Sequence, residues 1–71
     1  MLRQHVKSSN IKSVGYDELT QVLEIEFLTG DVYQYSKVPE NTYVALMTAE
    51  SIGSAVHKLL RGKFEFKRKE K

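Results

Sequence analysis

Between Val22 and Leu28 the chain alternates strictly, with Leu23, Ile25 and Phe27 on one side of an extended segment and Glu24 and Glu26 on the other. A period of two over this length predicts a strand in a sheet with one buried and one wet face. Ile11-Lys12-Ser13-Val14-Gly15-Tyr16 precedes it as a shorter strand, after the turn-forming Ser8-Ser9-Asn10. The polar Asp17-Glu18-Leu19-Thr20 between the two runs predicts a hairpin. Gly15 inside the first strand points to a bulge or a close backbone approach. Val32-Tyr33-Gln34-Tyr35 predicts a third strand, whose two tyrosines share a side because side chains alternate.

The length of the turn around Gly30 decides which side that is. A two-residue Thr29-Gly30 turn would pair Phe27 with Val32 and put both tyrosines on the glutamate face. A three-residue Leu28-Thr29-Gly30 loop, with Gly30 at positive φ, pairs Ile25 with Tyr33 and Leu23 with Tyr35. The second is favoured, because it sets Gln34 beside Glu24 and leaves one apolar face across both strands.

A helical period follows. Val38-Pro39-Glu40 predicts a helix start with Pro39 at the first helical position, and Tyr43, Leu46 and Met47 form its core-facing stripe. Thr48-Ala49-Glu50-Ser51 breaks the pattern, and Ser51 suits the N-cap of a second helix. That helix carries Ile52, Ala55, Val56, Leu59 and Leu60 on one side and ends near Gly62. Phe64-Glu65-Phe66-Lys67 alternates in the manner of a short edge strand. The expectation is an α+β fold: a three-stranded antiparallel meander, two helices packed on one face, and a candidate C-terminal edge strand. Residues 1–7 are expected to be loose, 8–67 to form a single domain, and 68–71 to be a basic tail.

At 71 residues the chain is near the lower limit for a core that stands alone, and it has no cysteine for a disulfide or a thiolate metal site. No apolar run approaches the roughly 20 residues that span a bilayer, and Met1-Leu2-Arg3-Gln4-His5 is too polar for a secretory leader. A soluble, cytoplasmic protein with no membrane partner is therefore expected. The net charge of +2 conceals a split. Residues 1–56 hold four Lys/Arg against seven Asp/Glu, a balance of −3; residues 57–71 hold seven against two, a balance of +5. Such segregation fits a polyanion partner or, equally, a solvated terminus.

Ser9-Asn10-Ile11, Gly15-Tyr16-Asp17, Leu23-Glu24-Ile25-Glu26-Phe27, Gly30, Tyr33-x-Tyr35, Val38-Pro39, Ser51-x-Gly53 and Leu60-Arg61-Gly62-Lys63 occur in this order over roughly residues 8–67. As an ordered set they resemble the KTSC domain, the small module at the C-terminus of some lysyl-tRNA synthetases that also occurs as a stand-alone protein. Phe64-x-Phe66 stands where the family would have tyrosines, and Ala55-Val56 where it would have aromatics. Those departures remove hydroxyls and rings that a ligand could use. The resemblance implies the fold class and, through the synthetase context, RNA as a partner.

Little in the chain points to catalysis. His5 and His57 have no second ligand at metal-binding spacing, and no nucleophile signature or phosphate loop is present. Glu24 and Glu26 read as a solvated strand face rather than a carboxylate pair. No catalytic residue, metal or cofactor is expected. Tyr33 and Tyr35 are candidates to stack unpaired bases, or else they pack under the helices with their hydroxyls at the rim. Lys58, Arg61, Lys63, Lys67 and Arg68 are the densest cations, with Lys58 and Arg61 neighbours on the helix. Arg61 leads them, since a guanidinium can fork a phosphate or stack on a base. Ser51 and Gly53 would offer an anion site at a helix N-terminus, or serve as an ordinary cap. Two functional classes remain open: an RNA-binding module, tRNA-like RNA included, and a module that binds another protein or itself.

Overall fold

A computed structural model describes residues 3–8 and 10–69. The strands are β1 (Arg3–His5), β2 (Ile11–Asp17), β3 (Val22–Phe27), β4 (Val32–Tyr35) and β5 (Phe66–Lys69), and the helices are α1 (Glu40–Met47) and α2 (Ile52–Leu59). All five strands form one antiparallel sheet in sequence order, and both helices lie in the connection from β4 to β5. The α+β expectation with two helices on one face holds, but the meander has five strands rather than three. Arg3–His5, expected to be loose, pairs with β2 through Arg3↔Gly15, Gln4↔Val14 and His5↔Ser13. The C-terminal strand starts at Phe66 instead of Phe64 and takes in Arg68 and Lys69 from the expected tail.

The loop after β3 has three residues. The Phe27 amide donates to the Asp31 carbonyl at 2.8 Å, the Gly30 amide donates to the Phe27 carbonyl at 2.9 Å, and Gly30 has φ +97°. The resulting register is Ile25↔Tyr33, Glu24↔Gln34 and Leu23↔Tyr35. The rings therefore lie on the face that carries Leu23 and Ile25, both fully buried. That face meets the helices: Leu46 of α1, Ala55 and Val56 of α2, and Leu60 just beyond α2 join Ile11, Val14 and Val38 in the core. The Tyr16 ring stacks on Tyr43 of α1 with centroids 4.7 Å apart, and its hydroxyl donates to the Val38 carbonyl at 2.6 Å. Truncating Leu23 or Ile25 to Ala at such sites costs about 2–5 kcal/mol.

Three local details differ from the sequence reading. The bulge in β2 falls between Ile11 and Ser13, not at Gly15, which sits in register between Arg3 and Glu24. Pro39 is the N-cap of α1 with extended ψ, one position earlier than expected. Glu24 and Glu26 do not form a plain solvated face. Glu24 is only 7% exposed; it accepts from Gln34 Nε2 at 2.7 Å and faces Arg3 Nε at 3.3 Å and Lys69 Nζ at 3.9 Å. Glu26 accepts from Ser13 Oγ at 2.9 Å and lies 3.5 Å from Arg3 Nη1.

Gly30→Ala places a Cβ in the left-handed region and is expected to destabilise the domain by about 1–2 kcal/mol. Urea unfolding followed by far-UV circular dichroism measures this, and an unchanged midpoint would contradict the loop conformation.

Candidate nucleic-acid interface

The helices do not cover the whole inner face. Near the Gly30 loop, Tyr33 and Phe66 on the sheet and Gly53, Val56 and Arg61 on or just after α2 enclose an open groove of about 640 Å³. Two of the α2 residues that line it leave it room: Gly53 has no side chain, and Val56 stands where an aromatic was anticipated. Cross-strand pairing explains the groove's floor. Tyr33 and Phe66 are diagonal neighbours across β4 and β5, close enough for rings to touch. They stack with centroids 5.1 Å apart and planes 6° from parallel. The Phe27 ring meets Tyr33 edge-on at 5.3 Å, and Tyr35 lies tilted against Phe66 at 5.5 Å.

The two tyrosines fare differently. Tyr35 is buried at 4% exposure, whereas Tyr33 is half-buried. Burial pushes the Tyr35 phenol above its ordinary pKa, the neighbouring Tyr33 adds to the rise, and the Arg61 cation opposes it. Both tyrosines line the groove, so the packed and ligand-facing roles meet in one place. Arg61 stands over them from the turn after α2, with Nη1 3.4 Å from His57 Nδ1. Arg68, on the same face as Tyr33, donates from Nη2 to Asp31 Oδ1 at 2.6 Å, and Asp31 also lines the groove.

The remaining cations are dispersed. Lys58 lines a second hollow of about 390 Å³ that shares Asn10, Gly53 and His57 with the groove. Lys63 is exposed in the turn that follows α2. Lys67, opposite Gln34, belongs to the other face of the sheet, as does Lys69 beside Glu24. The site therefore gathers Tyr33, Tyr35 and Arg61, borders Arg68, and leaves Lys67 behind the sheet. Ser51 is the N-cap of α2, its hydroxyl accepting from the Ser54 amide at 3.3 Å. Gly53 touches Ser8 and Asn10, whose side chains would lie 3.6 and 3.8 Å from an added Cβ.

Phe66 is the site residue that sequence reasoning missed. At 52% exposure it is the most open of the Phe and Tyr rings that line the groove. Its place in the alternating Phe64-Glu65-Phe66-Lys67 run was visible, but only pairing with β4 places it beside Tyr33. Among the described residues, no three His, Cys, Asp or Glu side chains are grouped to hold a metal. No helix there is long and apolar enough to cross a membrane.

Comparison with known proteins agrees with this architecture. The KTSC domain family matches residues 7–64. An uncharacterized protein of Stutzerimonas stutzeri is 43% identical over 53 residues, covering 75% of each chain. A lysine–tRNA ligase of Nostoc punctiforme is 43% identical over 60 residues, which span 84% of this chain and 11% of the ligase. The crystal structure of a KTSC domain protein from Yersinia pestis superposes with a TM-score of 0.91 at 40% identity, covering 97% of both chains.

The sign of the Tyr35 shift sets a pH dependence. The unfolded phenol loses its proton near pH 10.0, while the folded one holds it to higher pH. Its stabilising contribution is complete below that value and is lost as pH rises through the folded pKa. Tyr35→Phe should therefore flatten the fall in stability above about pH 10 relative to the parent, with little change in slope at neutral pH. Urea midpoints across the alkaline range measure this, and parallel curves would refute it.

Proposed function

The chain belongs to the KTSC domain family, and from that premise we propose that it works in the cytoplasm as a small, non-catalytic module that binds RNA, tRNA-like RNA included. The observation that carries this reading is the meeting of Arg61 with the Tyr33–Phe66 stack in one open groove. Aromatic surfaces take unpaired bases, and a guanidinium beside them takes phosphate. The lysine–tRNA ligase of Nostoc punctiforme carries a similar segment and gives the proposed RNA a context. The imidazole at the site neighbours a cation, Arg61.

Lys58, Lys63 and Arg68 would add to the electrostatic attraction around Arg61, with Lys67 contributing from the reverse side. Ser51 and Gly53 lie at the second hollow, where a backbone phosphate leaving the groove could pass Lys58. A second reading, a protein partner seated in the same groove, draws support from exposed Phe66 and Leu28 at its margin. Ionic strength separates the two, because apolar contacts survive salt and phosphate contacts do not.

Fluorescent tRNA titrated at two salt concentrations tests the proposal. Affinity should fall steeply as salt rises. Arg61→Ala should weaken binding and reduce the slope of log affinity against log salt by about one. No binding at low salt, or equal binding to heparin, would count against an RNA role.

A further inference from the structure

The groove contains four rings, yet they cannot make a track for several bases. Tyr35 is buried, and Tyr33 is covered by the edge of Phe27 on one flank and by Phe66 on the other. Phe66 is stacked on Tyr33 and tilted against Tyr35, yet about half of the residue remains exposed, and it lines the groove. A base inserted between Tyr33 and Phe66 would have to break an existing stack, whereas a base laid on the open side of Phe66 extends it. Arg61 rises from the opposite wall beside His57, and its guanidinium places positive charge where the phosphate of a base so held can be met. Arg61 at the groove and Lys58 in the adjoining hollow favour an anionic occupant over a neutral or basic one.

Resting on the RNA reading above, we propose that the groove accepts a single unpaired nucleotide, its base stacked on Phe66 at the end of the Tyr33–Phe66 pair and its phosphate held by Arg61. The tyrosines then support the platform from beneath without being the platform. The preferred RNA has an isolated extruded nucleotide or an unpaired end; a long single-stranded run gains nothing once one base is seated. Phe66, in the position where the family would have a tyrosine, needs no hydroxyl for this work.

The test uses three RNA duplexes of one sequence: blunt and fully paired, carrying one bulged adenosine, and carrying three. Fluorescence anisotropy at low salt should show the one-base bulge bound about 5- to 100-fold more tightly than the blunt duplex, the range expected for one stacked base. The three-base bulge should bind no more tightly than the one-base bulge. Phe66→Ala should erase the preference for the bulge over the blunt duplex; Phe66→Trp should restore the preference. Circular dichroism of each variant checks that the sheet persists, and Phe66→Leu, which keeps apolar bulk without a ring, should behave as Phe66→Ala. Affinity that climbs with each added unpaired base, or a bulge preference that survives loss of the ring, would overturn the single-nucleotide site while leaving RNA binding standing. Absence of salt-sensitive binding to every duplex and to tRNA would overturn both.

Discussion

The backbone at Gly30 is the constraint from which the rest of the molecule follows. Its left-handed φ closes an odd-numbered loop, and an odd loop fixes Ile25 opposite Tyr33 rather than Phe27 opposite Val32. A slip of one residue would exchange every side chain between the faces. Tyr35 would leave the core, Gln34 would enter it, and the carboxylate of Glu24 would lose its short hydrogen bond. The stacked rings, the groove over them and the polar network behind them are consequences of that single register.

The two faces of the sheet hold it together by different means. On the helix side, burial of aliphatic side chains supplies the driving force. On the other side, the edge strands have little to bury, since β1 is Arg3-Gln4-His5 and β5 alternates Phe66 and Arg68 with two lysines. Glu24 answers this by accepting ties from both edges at once, Arg3 from β1 and Lys69 from β5, with Gln34 of β4 between them. Exposed ion pairs contribute about 0–1 kcal/mol each, whereas a hydrogen bond to a charged group contributes about 1.5–3 kcal/mol. Gln34 is thus the strong member of the set, and the 3.9 Å approach of Lys69 is the weak one. A nearly buried carboxylate is costly to desolvate, and this ring of donors is what offsets the cost.

Much of the fold was legible because its elements announce themselves locally. The alternation of Leu23, Ile25 and Phe27, the stripe of Ala55, Val56 and Leu60, and the Ser51 cap each depend on neighbours in sequence. The register was legible too, since only one loop length keeps a single apolar face. The edge strands were not. Arg3-Gln4-His5 has no hydrophobic period, and it is a strand because β2 and the Glu24 carboxylate hold it there. The bulge was hard to place for a related reason: Gly15 has the composition of an irregularity but sits in register between Arg3 and Glu24, while Lys12 at the exposed bulge has no sequence mark. The groove was the least legible feature, because it depends on where α2 crosses the sheet and on the absence of side chains at Gly53.

The same topology divides the positive charge that composition presents as one block. β5 is an edge strand, and Lys67 and Lys69 on its outer face suit an edge that must not pair with another sheet. Lys69 is already directed to Glu24, and Arg68 on the inner face is held by Asp31. A ligand in the groove therefore meets Arg61 first, with Lys58 and Lys63 beyond it, and gains little from the cations behind the sheet. The cations that face the groove are fewer than the C-terminal charge implies. A domain this small thus divides its basic residues between two faces of one sheet rather than presenting them as one broad basic surface.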